Sequence, residues 1–375
     1  MIKILGIETS CDETAASIVN DKREILSHVI FSQIQEHNKF GGVVPEIASR
    51  AHLSHLQKIV KKTIAEANLS LRDLDAIAVT AGPGLVGGLL VGLMFAKGLC
   101  FSLNKPLLAI NHLEAHALTA RLTNPEIKFP YLMLLLSGGH CQILIVESVG
   151  VYHKLGGTLD DAVGEAFDKV AKMMGLGYPG GPIIESHALN GDDQVYQFPQ
   201  AMKGRKNCDF SFSGLKTAVR LALNNKYKIE DICASFQRTV SDILIDRLNN
   251  AVEIVNKQNI TPKPIFSQAC GFKNEDTQRR LLREHSRDSQ NSFASLKMGN
   301  DIKQLVIAGG VASNQYLYKK IKDNMEAHNI ITIAPPIKLC TDNGAMIAWA
   351  GIERFKLGLV EGLDIAPRPR WPLEK

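Results

Sequence analysis

The chain has 375 residues, 45% hydrophobic and 22% charged, with a formal net charge of +5. That composition excludes a wholly disordered, collagen-like or coiled-coil chain and leaves material for two domains with real cores. The mild positive charge permits a nucleic-acid partner without demanding one, and seven widely spaced cysteines with no CxxC pair read as reduced thiols of a cytosolic protein.

In chain order, an apolar strand runs from Ile2 to Ile7 and returns from Ala15 to Val19. The turn between them, Glu8-Thr9-Ser10-Cys11-Asp12-Glu13-Thr14, is crowded with hydroxyls and carboxylates. The MIKILGIETS opening lacks signal-peptide anatomy. Apolar positions at Ile47, Ala51, Leu53, Leu56, Ile59, Val60 and Ile64 recur near the helical period, predicting a helix over 45–69. Residues 76–96 carry no charge over a membrane-spanning length, but Ala81-Gly82-Pro83-Gly84 interrupts them. The sequence therefore predicts a strand over 75–80, a glycine turn and a buried helix to about Phe101. A strand over 107–110 opens onto a helix at His112.

The opening layout then recurs: strand 131–136, tight turn Ser137-Gly138-Gly139-His140, returning strand 141–146. Two such hairpins predict two related lobes, each a sheet with helices, facing one another across a cleft. Further helices are expected over 159–176 and 229–257, a strand over 304–308, a helix from about Asn314, a strand over 330–333 and a last long helix opened by Asp342. The tail Pro367-Arg368-Pro369-Arg370-Trp371-Pro372 is too proline-rich for a helix. Residues 262–300 are polar and charge-rich and read as a surface insertion.

Three glycine turns follow strands, at Gly82, Ser137-Gly138-Gly139 and Gly309-Gly310. Such turns let amide N–H groups converge on an anion, so they support a phosphate-bearing ligand in the cleft. None matches a Rossmann or P-loop pattern. His112 and His116, four apart on a helix, present both imidazoles on one face, and Asp342 supplies a third donor. Two imidazoles and a carboxylate suit Fe(II) or Zn(II), though the spacing alone is equally that of an ordinary histidine pair and a capping aspartate. Leu113 follows the first histidine, so the HExxH pattern of zincins is missing. Asp161, Glu165 and Asp168 fall on one helical face, which suits a ligand with ribose hydroxyls or a solvated acidic face beside Lys169 and Lys172. Lys203, Arg205 and Lys206 are either phosphate contacts or a solvated basic loop.

GIETSCDET at 6–14, GGVVPEIASRAH at 41–52, AGPGLVGGLLVG at 81–92, NHLEAH at 111–116, LLSGGH at 135–140, GEAFDK at 164–169, YPGGP at 178–182, DFSFSGLKT at 209–217, AGGVASN at 308–314 and CTDNGAMIAWAG at 340–351 occur together in order. With these ten blocks the chain closely resembles the Kae/Qri/TsaD family over nearly its whole length. The resemblance implies an α/β, two-lobed actin-like and sugar-kinase-like ATPase fold of duplicated ribonuclease-H-like domains with a central cleft. The lobes are expected at 1–128 plus 343–375 and at 129–342, with the 262–300 insertion in the second, where the family pattern is shorter. It implies transfer of a threonylcarbamoyl group from threonylcarbamoyl-AMP to N6 of adenosine 37 in tRNAs reading codons that begin with A. It assigns one divalent metal ion per subunit, Fe(2+) favoured and Zn(2+) the alternative, to His112, His116 and Asp342. It assigns the intermediate to Leu135, Leu136, Ser137, Gly138, Gly139, Asp168, Gly181 and Asn314. Asp12 and Glu13, at the cleft-facing tip, are candidate proton acceptors. Implied partners are tRNA, a TsaB-type paralogue, a TsaE-type ATPase and a TsaC/Sua-type synthase that supplies the intermediate, in the cytoplasm and with no membrane. Competing readings are a metalloprotease, which needs a base beside the histidine pair, an ATPase or kinase, and a non-catalytic scaffold.

Overall fold

The structure, a computed structural model, describes residues 1–225, 227–257 and 302–374. The predicted insertion at 262–300 and Cys270 lie outside the described residues.

The first half builds β1 (Lys3–Glu8), β2 (Glu13–Asn20), β3 (Ile25–Ser32), α1 (Ile34–Asn38), α2 (Pro45–Glu66), β4 (Ala76–Gly82), α3 (Val86–Leu103), β5 (Leu107–Asn111) and α4 (His112–Thr123). The second builds β6 (Tyr131–Leu136), β7 (Cys141–Ser148), β8 (Val151–Gly157), α5 (Val163–Met173), α6 (Gly180–Ala188), α7 (Ser213–Asn224), α8 (Ile229–Lys257), β9 (Gln304–Ala308), α9 (Gln315–Glu326), β10 (Ile331–Ile333) and α10 (Gly344–Lys356). The strands form two five-stranded sheets, ordered β3-β2-β1-β4-β5 and β10-β9-β6-β7-β8. The second order is the first one read in reverse, with each strand number raised by five. In each sheet the first three strands are antiparallel and the fourth and fifth run parallel to the first. The predicted duplication is therefore present in the strand connectivity itself.

Both hairpins fall where the apolar alternation and polar turns put them. The third strand of each, β3 and β8, was not legible. Each is an outer strand whose face is only partly buried, so its pattern of burial is broken. Helices α6 and α7 also went unread, because GLGYPGGP and DFSFSG look like loops until Gly180 and Ser213 open the helices.

Small residues bring the last helix home. A β-carbon at Gly6 would lie 2.2 Å from the Gly344 carbonyl oxygen and 2.3 Å from the Ala348 nitrogen, and one at Gly351 would lie 2.7 Å from the Ala78 β-carbon. Helix α10 thus rests its backbone on β1, and its apolar side joins Ile4, Ala78, Leu108 and Ile110 in one core. Helix α3 is apolar and long enough to span a bilayer. It lies instead against the first sheet, where the Thr9 hydroxyl donates to the Gly88 carbonyl at 3.0 Å.

Candidate metal centre and cleft

In each sheet the turns at the carboxyl ends of the parallel strands lie side by side, the usual place for a ligand in an α/β fold. In the first sheet these ends carry Glu8 and Ser10 after β1, Gly82 and Gly84 after β4, and Asn111-His112 after β5. That adjacency brings together residues about a hundred positions apart.

Asn111 caps α4, its side-chain oxygen accepting from the Leu113 N–H at 2.9 Å. The helix then holds His112 and His116 one turn apart, their rings edge-to-face with centroids 4.7 Å apart. Asp342 lies just ahead of α10, whose cap is Asn343, accepting from the Met346 N–H at 2.9 Å. The last helix therefore starts two residues later than predicted, and Asp342 is left free of the capping role. Its Oδ1 lies 3.3 Å from His112 Nε2 and 3.2 Å from His116 Nε2. The three donor atoms lie within 4.8 Å of one another.

On its other side His112 Nδ1 faces Glu8 Oε2 at 3.1 Å and the Ser10 hydroxyl at 3.2 Å. A proton on Nδ1, donated to Glu8, fixes the tautomer whose Nε2 lone pair points at Asp342, the usual carboxylate support of a metal-binding imidazole. Glu8 is fully buried, and Thr80 also donates to it. Burial opposes every charge here, yet the imidazoles outweigh it and hold Glu8 and Asp342 below the ordinary carboxylate range. In the same way burial of His112 is outweighed by Asp342 and Glu8, and its pKa is raised well above the usual imidazole value. Two buried imidazoles and one carboxylate with convergent lone pairs fit a divalent cation with positions left for a substrate. Glu114, the one glutamate between the histidines, is turned away and paired with Arg354 at 3.2 Å, so it does not serve as the base a metalloprotease would need beside the pair.

The other expected positions divide. Glu13 opens β2, and burial first, then the Asp342 and Asp12 carboxylates, push its pKa well up. Asp12 is almost buried beside it. The side chains of Leu135 and Leu136 are buried in two different cores, and their backbone pairs with β7 and, at Leu135, with β9. At the next turn the Ser137 hydroxyl accepts from the His140 N–H at 3.0 Å, and Gly138 and Gly139 face open space. Gly181 is likewise open. Asp168 accepts from the Gly180 N–H at 2.7 Å and so braces the start of α6. Burial raises its pKa, and Asp12 from the first sheet adds to the rise across the cleft. The amide of Asn314 caps α9 through the Leu317 N–H at 2.9 Å and donates to Gln237 at 2.9 Å.

Of the acidic face, two members pair with the chain's own lysines: Lys169 bridges Asp161 at 2.8 Å and Glu165 at 2.5 Å, and Lys216 reaches Asp161 at 2.6 Å. Asp168, the third, turns to Gly180 instead. One expectation is corrected. The first glycine turn is filled by the chain itself, since a β-carbon at Gly82 would sit 1.8 Å from the Arg368 carbonyl oxygen.

Four participants went unread as site residues in the sequence. Glu8 and Ser10 stand in the polar turn already noted, but they lie 104 and 102 residues from His112, and nothing local ties them to it. Burial, and then the charge of the nearby histidine pair, lower the pKa of His140 to about 4. Gln237 borders a cavity of about 330 Å³ between α6, α8 and α9, lined also by Glu185, Asp193, Gln315, Tyr316 and Lys319.

The family model for TsaD, tRNA N6-adenosine threonylcarbamoyltransferase, matches residues 24–349. The chain belongs to the TsaD family. It is 50% identical to the tRNA N6-adenosine threonylcarbamoyltransferase of Ehrlichia canis (strain Jake), over 99% of this chain and 95% of that one. It is also 50% identical to the enzyme of that name from Rickettsia rickettsii (strain Sheila Smith), over 100% and 99%. Among solved structures it resembles component A of the Acidaminococcus fermentans (R)-2-hydroxyglutaryl-CoA dehydratase, with a TM-score of 0.54, 14% identity and coverage of 95% and 100%. It also resembles HypF of T. kodakarensis, with a TM-score of 0.57, 14% identity and coverage of 95% and 47%. At such identities the likeness is one of fold, and the fold of this TsaD-family chain is the two-lobed actin-like one.

Proposed function

We propose that this chain transfers the threonylcarbamoyl group of threonylcarbamoyl-AMP to N6 of adenosine 37 in tRNAs reading codons that begin with A, releasing AMP. The observation that carries the reading is the convergence of His112, His116 and Asp342 at the cleft, in a chain half identical to enzymes of that name.

His112, His116 and Asp342 hold one divalent cation per subunit, iron in preference to zinc. When bound, such a cation supplies Lewis-acid stabilisation of developing negative charge on phosphate or carbonyl oxygen. Glu8 keeps His112 in the ligating tautomer. The open backbone of Ser137–Gly139 offers amide donors to the phosphate or the threonyl carboxylate, and Leu135 and Leu136 support that turn from the core. Asp168 sets Gly180 and Gly181 at the start of α6, and Asn314 holds Gln237, which borders the cavity that takes the adenosine half. N6 attacks the carbamoyl carbon, the bond from that carbon to the phosphate oxygen breaks, and AMP leaves with the electron pair. The proton lost from N6 passes to Glu13 or Asp12, the two carboxylates at the cleft-facing tip.

The lobes are placed at 1–128 plus 343–375 and at 129–342; the packing of α10 on β1 supports that division. The exposed residues Lys203, Arg205 and Lys206 suit tRNA phosphates. Val86, Leu90, Met94 and Phe101 of α3 and Leu53 of α2 are exposed apolar side chains, which supports a protein partner such as the TsaB-type paralogue. A TsaE-type ATPase and a TsaC/Sua-type synthase complete the system, in the cytoplasm.

The test is reconstitution with those partners, labelled threonine, bicarbonate, ATP and unmodified tRNA, followed by digestion to nucleosides. A labelled adenosine derivative is expected. Its absence, with the partners shown to be active, overturns the assignment.

A further inference from the structure

The segment from Pro367 to Glu374 has no regular secondary structure, yet it touches three separate parts of the molecule. Its Arg368 N–H donates to the Ala81 carbonyl at 2.7 Å, and the Gly84 N–H donates to the Pro369 carbonyl at 3.2 Å. The missing side chain of Gly82 makes room for it. The Trp371 ring packs against the apolar core of the first sheet, with the Arg368 guanidinium 4.7 Å from its centroid. Leu373 packs into the cluster formed by Leu113 and Ala117 of α4 with Tyr131 and Met133 of the second sheet. Beyond it, the Glu374 carboxylate accepts from the Lys154 N–H of β8. Prolines at 367, 369 and 372 restrict the run to extended conformations and lower the entropy lost when it docks.

One contact ties this segment to the metal centre. The Asn111 side-chain amide caps α4 with its oxygen, while its nitrogen donates to the Trp371 carbonyl at 3.0 Å. The next residue is His112. Pinning that amide at both ends fixes the rotation of the first turn of α4, and the directions of His112 and His116 follow from that rotation. Leu373 packs against the apolar cluster to which α4 contributes Leu113, Ala117 and Ala120, and so adds to the core that holds the same helix.

We infer that residues 367–374 form a strap that positions the two histidine ligands, acting through Asn111 and the apolar side of α4 and touching neither imidazole itself. The inference rests on the metal reading of His112, His116 and Asp342. It assigns to the RPRWPL motif a role that its composition does not suggest.

The experiment titrates Co²⁺, alone and without substrate, into the purified full-length chain and reads its visible absorption. Four variants accompany it: His116→Ala, Asn111→Ser, the pair Trp371→Ala with Leu373→Ala, and all three strap changes together. Serine caps a helix about as well as asparagine, but its hydroxyl does not reach the Trp371 carbonyl. Outer-shell partners of metal ligands typically hold about 10–100-fold in affinity. Asn111→Ser and the Trp371/Leu373 pair are each expected to weaken Co²⁺ binding about tenfold or more. Combined, they should be little weaker than either alone, because both release the same helix. Circular dichroism and melting show that the variants are folded. Co²⁺ affinity unchanged in Asn111→Ser overturns the strap, and this variant decides if the Trp371/Leu373 pair fails to fold. Effects that simply multiply also overturn it, since they mean two unrelated losses. If the Co²⁺ spectrum of the parent survives His116→Ala, the metal reading itself has failed and the strap falls with it.

Discussion

Glu8 decides what His112 can do. An imidazole free to choose its tautomer would lose the proton from either nitrogen, but the buried carboxylate 3.1 Å from Nδ1 reserves that proton. Changing Glu8→Gln keeps the shape and removes the charge, so metal affinity is expected to fall about 10–100-fold, measured by equilibrium titration. His116→Ala or Asp342→Ala removes a ligand outright; bound metal measured by elemental analysis and label transferred to tRNA should both vanish while the circular dichroism spectrum stays intact. The raised pKa of His112 adds a pH dependence. Burial opposes the imidazolium, Asp342 and Glu8 outweigh burial, and the metal-free chain therefore keeps this ring protonated above the ordinary imidazole range. Ligation needs the neutral ring, so metal binding expels the proton and affinity rises with pH until that raised pKa is passed. Co²⁺ titrations that gave one affinity at every pH would contradict this account.

At the scale of single elements, close backbone contacts set positions that side chains alone would leave loose. Gly309 ends β9 with φ at +91°, and a β-carbon there would lie 2.4 Å from the Leu136 carbonyl oxygen. That contact seats the glycine turn after β9 directly behind the turn after β6. Gly309→Ala is expected to cost about 1–3 kcal/mol, because an unfavourable backbone angle and a backbone clash act together, read as a drop in the chemical denaturation midpoint. Gly6 does the same for α10 against β1. The three glycine turns differ for this reason. Glycine marks any close approach of backbone, and in the first turn the approaching group is this chain's own Arg368 carbonyl.

Across the whole molecule, the cation site joins α4, which follows the first sheet, to Asp342, which follows the second. An ion held by both stabilises only the folded arrangement. A free metal concentration about 100 times the Kd adds about 2.7 kcal/mol. Chelation is therefore expected to lower the melting temperature by several degrees, and no shift on metal removal in the wild-type chain would show that the trio holds none.

Much of this was legible in one dimension. Apolar alternation around two polar turns marked the paired hairpins, a 3.6-residue repeat marked α2, and the four-residue spacing of His112 and His116 put two donors on one helical face. These features are local, since each depends on residues within a turn or a strand of one another. What the chain order does not reveal is which ends of strands become neighbours. Glu8 behind His112, Asn111 beneath Trp371, and Lys169 and Lys216 closing on Asp161 join positions from 8 to 260 residues apart. Glu8 and Asn111 owe their roles to parallel strands that deliver their carboxyl ends to one place, where burial turns a nearby charge or amide into a constraint.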